Sequence, residues 1–271
     1  MSEEENNADS RQGIQSIEVG VPLLKALADH GAPMMLRDLA RAAGMPAAKA
    51  HRYLVSFLRT GLVSQDGASG RYDLGHFALD LGLASLARLD PVRVATPLLD
   101  ALAEETGETV ALAVWGNMGP TIVRWVESRR PVTVNLRTGA VMPLLNSAIG
   151  RCHVAFFDSP QLRRQLDEEL RISARAEDRQ ARITRSDLDE LVAEARAHGM
   201  SRTVGGVIPG INAFAAPVFD HEGKMALALA GLGPAGLVPP HWNGTLPKAI
   251  RAAALAASRE LGWRGSPANK P

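Results

Sequence analysis

The chain has 271 residues, of which 46% are hydrophobic and 22% charged, and its formal net charge is +1. This length favours two domains, and the composition is that of a folded globular protein. The single cysteine, Cys152, excludes an internal disulfide and a cysteine-rich zinc site. No apolar run is long enough for a transmembrane helix and the acidic start is no signal peptide, so we expect a soluble cytoplasmic protein without a membrane partner.

The chain begins with a polar, charged stretch, residues 1–13, which we expect to be a disordered arm. Apolar residues then recur every three to four positions, which is the pattern of amphipathic helices. Gly31 is suited to ending the first helix, and Pro46 is suited to the first turn of the third. The pattern predicts helices at residues 16–30, 36–43 and 46–60.

A hairpin follows these helices. Two short strand patterns, residues 62–65 and 71–74, flank a glycine-rich turn. Three helices and a hairpin within about 60 residues predict a winged helix-turn-helix over residues 14–75. Residues 11–75 contain eight basic and five acidic side chains, a net charge of +3, which is compatible with DNA binding but does not establish it.

Residues 76–90 predict a linker helix with apolar side chains on most of its surface. Such a helix is too apolar to be solvated on all sides, so we expect it to pack against a partner chain or a second domain. The apolar positions are Phe77, Leu79, Leu81, Leu83, Leu86 and Leu89.

The remaining chain mixes strands and helices and predicts a second domain over residues 91–264, followed by a tail at 265–271. After a helix at 94–106, strands are expected at 109–115, 120–127 and 132–136, and again at 211–220 and 225–231. Helices are expected at 148–157, 161–170, 186–198, with Asp187 at the first helical position, and 240–261. This order predicts an α+β fold with a mostly antiparallel sheet.

The candidate DNA contacts lie at the start of the third helix, because only its first two turns can approach base edges in the major groove. Lys49 and Arg52 are three residues apart and share a face, from which a guanidinium can bind guanine or a phosphate. Arg37, in the second helix, is placed to contact a backbone phosphate. Arg71 lies where a wing would meet the neighbouring backbone or the minor groove. The predicted DNA-binding residues are Arg37, Ala47, Ala48, Lys49, His51, Arg52 and Arg71.

A family resemblance covers residues 14 to 263. The first two segments resemble the DNA-binding domain of the IclR family of bacterial transcription regulators: SIEVGVPLLKALADHGAPMMLRDLARAAGMPAAKAHRYLVSFLRTGLV and GRYDLG. The similarity continues through LAEETGETVALAVW, RWVES, VNLRTGAVMPLLNSAIGR, HGM, PGINAFAAPVFD and LGW. No single motif is decisive, but their order and spacing make the match specific.

The resemblance implies a winged helix-turn-helix joined to a GAF-like effector-binding domain. It also implies a homodimer or homotetramer that binds an operator in double-stranded DNA and a small-molecule effector, and that regulates nearby catabolic genes. From the residues themselves, neither a cofactor nor a metal site is expected, since the seven histidines lack ligand spacing.

The chain departs from the family pattern at the recognition helix. The family usually has a Ser-Thr pair where this chain has Ala48 and Lys49. Two hydroxyl groups are thus replaced by a methyl and a cation, and the operator preference is expected to differ.

A second departure lies in the effector pocket that the resemblance implies, at Asn146, Ala148, Ile149, Gly150, Gly206, Ala213, Ala230 and Leu232. The family commonly has histidine, cysteine and serine side chains at the positions of Asn146, Ala213, Ala230 and Leu232, and acidic residues at 205–207. A pocket that has lost these polar groups favours a larger aromatic or aliphatic ligand. The alternative is a pocket that has decayed or serves only as a dimer surface.

Two other functions compete with regulation by DNA binding. Cys152 stands beside His153, as a nucleophile and a base could, but adjacent helical residues point about 100° apart and would not pair. No nucleophile elbow, carboxylate pair or metal-ligand spacing is present in the sequence, so an enzyme is not expected. The other alternative is a ligand-binding, dimerising protein with weakened DNA binding, supported by the missing Ser-Thr pair.

Overall fold

A computed structural model describes residues 13–128, 136–175 and 182–265. The chain divides into two compact units, Met1–Arg88 and Leu89–Pro271. The predicted arm lies outside the described residues except for Gly13, as do the tail except for Gly265 and the strand predicted at 132–136 except for Leu136. Among the described residues, no helix is long and apolar enough to cross a membrane.

The first unit consists of α1 (Gln15–His30), α2 (Leu36–Ala42), α3 (Ala47–Arg59), β1 (Val63–Gln65), β2 (Tyr72–Leu74) and α4 (His76–Leu86). Its core forms where the apolar stripes of the first three helices meet the hairpin, around Leu23, Leu27, Leu39 and Leu54. Gly31 ends α1 in the left-handed conformation, at φ +69°, as the sequence predicts. Pro46 lies one residue before α3 as its N-cap rather than within its first turn.

The hairpin is antiparallel, and its turn is held by Asp66. One carboxylate oxygen accepts from the backbone N–H of Ser69 at 2.9 Å, which is the local bonding that favours Asp in turns. Met34, between α1 and α2, forms a bridge with Tyr72 and so adds a third chain segment to the wing. This segment cannot be predicted from the sequence, because a single bridged residue leaves no alternation pattern.

The second unit contains α5 (Pro91–Thr106), β3 (Thr109–Gly116), β4 (Gly119–Val126), α6 (Ala148–Phe156), α7 (Pro160–Ser173), α8 (Arg185–His198), β5 (Ser201–Val204), β6 (Ile211–Phe219), β7 (Met225–Pro234) and α9 (Thr245–Glu260). Five strands form one sheet in the order β4-β3-β7-β6-β5, and every neighbouring pair is antiparallel. Helices α5 and α9 contribute to the core on one face, and α6 to the core on the other. The predicted α+β class with a mostly antiparallel sheet is confirmed.

Several predicted element boundaries are wrong. The linker helix ends at Leu86 rather than at residue 90. Pro91 begins α5, because the Asp90 carboxylate caps α5 by accepting from the backbone N–H of Val92 at 2.9 Å. Asp187 occupies the third position of α8, where it forms a capping box with Thr184. The last helix begins at Thr245 rather than at residue 240.

The short strand β5 is missing from the sequence prediction. Its inward-facing residues are Ser201 and Thr203, which are only 2% and 4% exposed. Because the buried face of this strand is polar, apolar alternation could not reveal it. The Ser201 hydroxyl donates to the backbone carbonyl of Ala148 at 2.7 Å and thereby joins β5 to α6.

Candidate DNA-binding surface and effector pocket

The candidate DNA-binding surface is the exposed side of the first two turns of α3. Ala50 and Leu54 face the core and are fully buried, which fixes the rotation of the helix. The side chains predicted to contact DNA lie on the other side: Ala47, Ala48, His51 and Arg52 are exposed, and Lys49 is half-buried.

The electrostatics of this surface suit a polyanion. Within the described residues, Arg37, Lys49 and Arg52 form no ion pair, in contrast to Arg41, which is paired with Asp38 at 3.3 Å. Helix α3 has no side-chain cap and no acidic residue in its first turn. Its first backbone N–H groups can therefore add to the positive potential that attracts phosphate.

Arg71 lies on the wing and is exposed, but part of its guanidinium is engaged within the protein. Its Nη1 donates to the backbone carbonyl of Pro33 at 3.2 Å. This hydrogen bond joins the base of the wing to the segment that follows α1. Arg71 thus has a structural contact in addition to its predicted role toward DNA.

The candidate effector pocket lies in the second unit, between the sheet face that carries α6 and the segment that connects β5 to β6. The space between its lining residues is about 470 Å³, including the part that opens to solvent. None of the described lining residues is charged.

Six of the eight predicted effector residues line this cavity: Ala148, Ile149, Gly206, Ala213, Ala230 and Leu232. Asn146 is exposed and lies outside the described lining, although its backbone carbonyl lies against Gly206. A side chain at Gly206 would bring its Cβ within 2.2 Å of that oxygen, so only glycine fits there. Gly150 packs against the backbone carbonyl of Pro143 instead, with 2.0 Å left for a Cβ.

The bulkier side chains that line the cavity are not among the effector residues predicted from the sequence. In the sequence, most of them follow the apolar pattern of ordinary core residues. They line a cavity only because three segments that are separate in the sequence lie close together in the fold. The glycine-rich stretch before Ile211 was the one local signal, since it lets backbone approach a ligand. The additional lining residues are Ile122, Trp125, Leu136, Met142, Ser147, Thr203, Val207, Ile208 and Ile211.

The polar groups of the lining differ in whether they have partners. Ser147 caps α6: its hydroxyl accepts from the N–H of Gly150 at 2.8 Å and donates to the carbonyl of Pro143 at 2.7 Å. The indole Nε1 of Trp125 is buried and has no acceptor among the described residues. The cavity is therefore largely apolar, with few polar groups available to a ligand.

Cys152 and His153 do not form a nucleophilic pair. Cys152 is fully buried, and burial raises the pKa of its thiol far above the usual range, opposed by a hydrogen bond with Ser201. His153 is also buried, and burial lowers its pKa to about 4, opposed by its bond to the backbone of Ile149. A protonated thiol and a neutral, buried imidazole are properties of core residues, not of a nucleophile and its base.

Comparisons with known proteins match both units. A family model described as "Bacterial transcriptional regulator IclR C-terminal" matches residues 83–259, and one described as "IclR helix-turn-helix domain" matches residues 16–67. The glycerol operon regulatory protein of Streptomyces griseus is 31% identical over 254 residues, which cover 93% of this chain and 98% of that protein. The transcriptional repressor IclR of Escherichia coli is 27% identical over 223 residues, covering 82% and 80%.

A solved structure has the same fold over nearly the whole chain. The crystal structure of Pseudomonas aeruginosa HmgR superposes with a TM-score of 0.85 at 36% sequence identity. The superposition covers 93% of this chain and 100% of that one.

Proposed function

The chain belongs to the IclR family of bacterial transcriptional regulators, and on that premise we propose that it is a sequence-specific DNA-binding regulator controlled by a small, largely apolar effector. It acts on an operator in double-stranded DNA, and catabolic genes are the targets we expect. A regulator of transcription works where the chromosome is, so we place it in the cytoplasm.

The observation that carries the DNA-binding proposal is the exposed basic start of α3. Its charges are not neutralised by described neighbours, and its opposite face is fixed in the core by Ala50 and Leu54. We assign direct contact with bases or phosphates to Lys49 and Arg52, with support from Arg37 and Arg71. Ala47 and Ala48 offer only methyl groups, which suit a thymine methyl.

The test is the affinity of the full chain for the DNA upstream of its own gene, measured by fluorescence anisotropy at several salt concentrations. Arg52→Ala should weaken binding and flatten the dependence on salt, because one phosphate or base contact is lost. Arg59→Ala is the matched control, since Arg59 is exposed in the last turn of the same helix. Specific binding that is insensitive to Arg52→Ala would remove Arg52 from the site.

The same measurement separates the main proposal from the alternative of a dimerising ligand-binding protein with weakened DNA binding. That alternative rests on Ala48 and Lys49 standing where the family usually has two hydroxyl residues. It predicts no difference in affinity between the upstream DNA and unrelated DNA of the same length.

The effector proposal rests on the cavity of the second unit. Its floor includes Ala213 and Ala230, and its described lining contains no charge, so an apolar body is favoured over a small keto acid. Calorimetry against aromatic acids and short-chain keto acids tests this. Tight binding to the keto acids alone would contradict the proposed effector class.

We also propose that the protein acts as a homodimer or homotetramer. Helix α4 exposes Phe77, Leu79, Leu81, Leu83 and Leu86 within the chain, and it has no buried residue. A contiguous apolar surface of this kind is typical of an interface. Two identical subunits would then place two recognition helices on the half-sites of a palindromic operator.

A further inference from the structure

Ala48 and Arg52 project from α3 on the side opposite its buried face. Each is two residues away from the fully buried Ala50, so each points about 160° away from the direction in which Ala50 is buried. Both are exposed, and because they are four residues apart they lie on one face of the helix. A major groove that receives the start of α3 therefore meets this pair.

The Arg52 side chain provides the hydrogen-bond donors of this face. Its guanidinium has five N–H groups and no acceptor, and it forms no ion pair or side-chain hydrogen bond with the described residues. The hydroxyl of Ser56, one turn further along the face, donates to the backbone carbonyl of Arg52 at 3.4 Å. Helix α3 has the sequence AAKAHRYLVSFLR, which contains no asparagine, glutamine, aspartate or glutamate. The helix thus presents no amide and no carboxylate to a base.

These groups match two of the four bases. In the major groove guanine shows two acceptors side by side, O6 and N7, which fit two N–H groups of one guanidinium. Thymine shows a methyl group, which fits against the methyl of Ala48. Adenine is read bidentately by an amide, and cytosine by a carboxylate that accepts from its N4 amino group, and α3 has neither. The imidazole of His51 does not replace an amide, because its two ring nitrogens point in different directions.

We infer that α3 reads its operator through one guanine bound by Arg52 and one thymine contacted by Ala48 in each half-site. The two residues are separated by about 6 Å along the helix axis, which is slightly less than two base-pair steps of about 3.4 Å. The thymine is accordingly expected within about two base pairs of the guanine. This inference rests on the proposed function of α3 as the recognition helix.

The test changes single groups of the DNA. The full chain is titrated against the binding site in its upstream DNA by fluorescence anisotropy, with each guanine in turn replaced by 7-deazaguanine and each thymine by deoxyuridine. The first change removes the N7 acceptor and the second removes the methyl group, and both leave base pairing intact. At one guanine of each half-site, loss of N7 should weaken binding about tenfold. At a thymine within two base pairs of it, loss of the methyl should weaken binding about fourfold.

Three variants assign these effects to side chains. Arg52→Gln supplies an amide, so the preference for that guanine over adenine at the same position should fall about tenfold. Arg59→Gln is the matched control, since Arg59 lies in the last turn of the same helix, and it should leave the preference unchanged. Ala48→Gly should make the thymine and deoxyuridine duplexes bind equally. Each readout is a ratio of two affinities measured for one protein, so a variant that merely folds less well does not alter it.

The results that overturn the inference are distinguishable from failure of the proposed function. Specific binding in which no guanine requires its N7, or in which Arg52→Gln keeps the preference for guanine, overturns the role of Arg52. Specific binding in which no thymine within two base pairs requires its methyl overturns the role of Ala48. Both results leave the proposed function standing. Should a variant not fold, the replacements in the DNA still decide with the unaltered chain.

Binding of the upstream DNA that is no tighter than binding of unrelated DNA of the same length has a different meaning. It contradicts the proposed function together with the roles of Ala48 and Arg52.

Discussion

His153 makes the stability of the second unit depend on pH in a way that can be calculated. The side chain is 1% exposed on α6, in contact with the rings of Trp115 and Phe157. Its Nδ1 lies 2.8 Å from the carbonyl oxygen of Ile149, so this nitrogen carries the proton of a neutral ring. Burial lowers its pKa from 6.5 to about 4.

The direction in which stability changes with pH depends on the protonation of His153 in the folded and the unfolded chain. Above pH 6.5 the imidazole is neutral in both, and its contribution to stability is fully present. As the pH falls from 6.5 toward about 4, only the unfolded chain takes up the proton, so stability is lost through this window. The interval, at 1.36 kcal/mol for each pKa unit, corresponds to a loss of about 3 kcal/mol.

The assay is urea unfolding of the full chain, followed by tryptophan fluorescence at pH 7 and pH 4. All four tryptophans, Trp115, Trp125, Trp242 and Trp263, belong to the second unit, so the signal reports that unit. His153→Gln cannot titrate, and carboxylates contribute equally to both proteins. The unaltered chain should lose about 3 kcal/mol more than the variant. Equal losses in the two proteins would refute the assignment of a neutral, buried His153.

Three further predictions concern packing and assembly. Gly150→Ala should lower the free energy of unfolding by roughly 1–3 kcal/mol in urea titrations, because its Cβ would lie 2.0 Å from the Pro143 oxygen. Gly82→Ala, with nothing within 4 Å of its Cβ, should instead raise the melting temperature, because alanine is favoured over glycine inside a helix by roughly 0.5–1 kcal/mol. Leu83→Lys should shift sedimentation velocity profiles toward the monomer. Met118→Lys, at the exposed hairpin tip of the second unit, is the control and should leave the profiles unchanged. Equal profiles for the two variants would count against α4 as the interface.

The sequence was sufficient for the elements that local chemistry determines. Gly31 ends α1 as expected, since glycine tolerates the left-handed conformation there. The strands β3 and β4 lie where β-branched residues and a glycine-rich turn predicted them. Helix and strand periodicity also predicted the α+β class, because each amphipathic face must be covered by another element.

The errors arise where tertiary contacts override a local pattern. The sequence predicts a linker helix that continues to residue 90, whereas Asp90 instead caps α5 with its carboxylate and Pro91 begins that helix. Strand β5 was missed because its buried side chains are Ser201 and Thr203, whose burial depends on α6.

The candidate site was only partly accessible from sequence. Six of the effector residues predicted from the family resemblance line one cavity, whereas Gly150 faces the backbone of Pro143. Trp125 could not have been found, because its orientation depends on a bulge at Val123 that no turn residue marks.

Ligand binding in the second unit should change the affinity of the first unit for DNA. The direct measurement is the affinity for the upstream DNA with and without a saturating ligand, chosen as the compound that most raises the melting temperature. We expect the DNA affinity of the unaltered chain to change about fivefold or more, and that of Ala230→Leu, in which the leucine side chain fills the cavity, not to change. An unchanged DNA affinity while the ligand is bound in the cavity would contradict it.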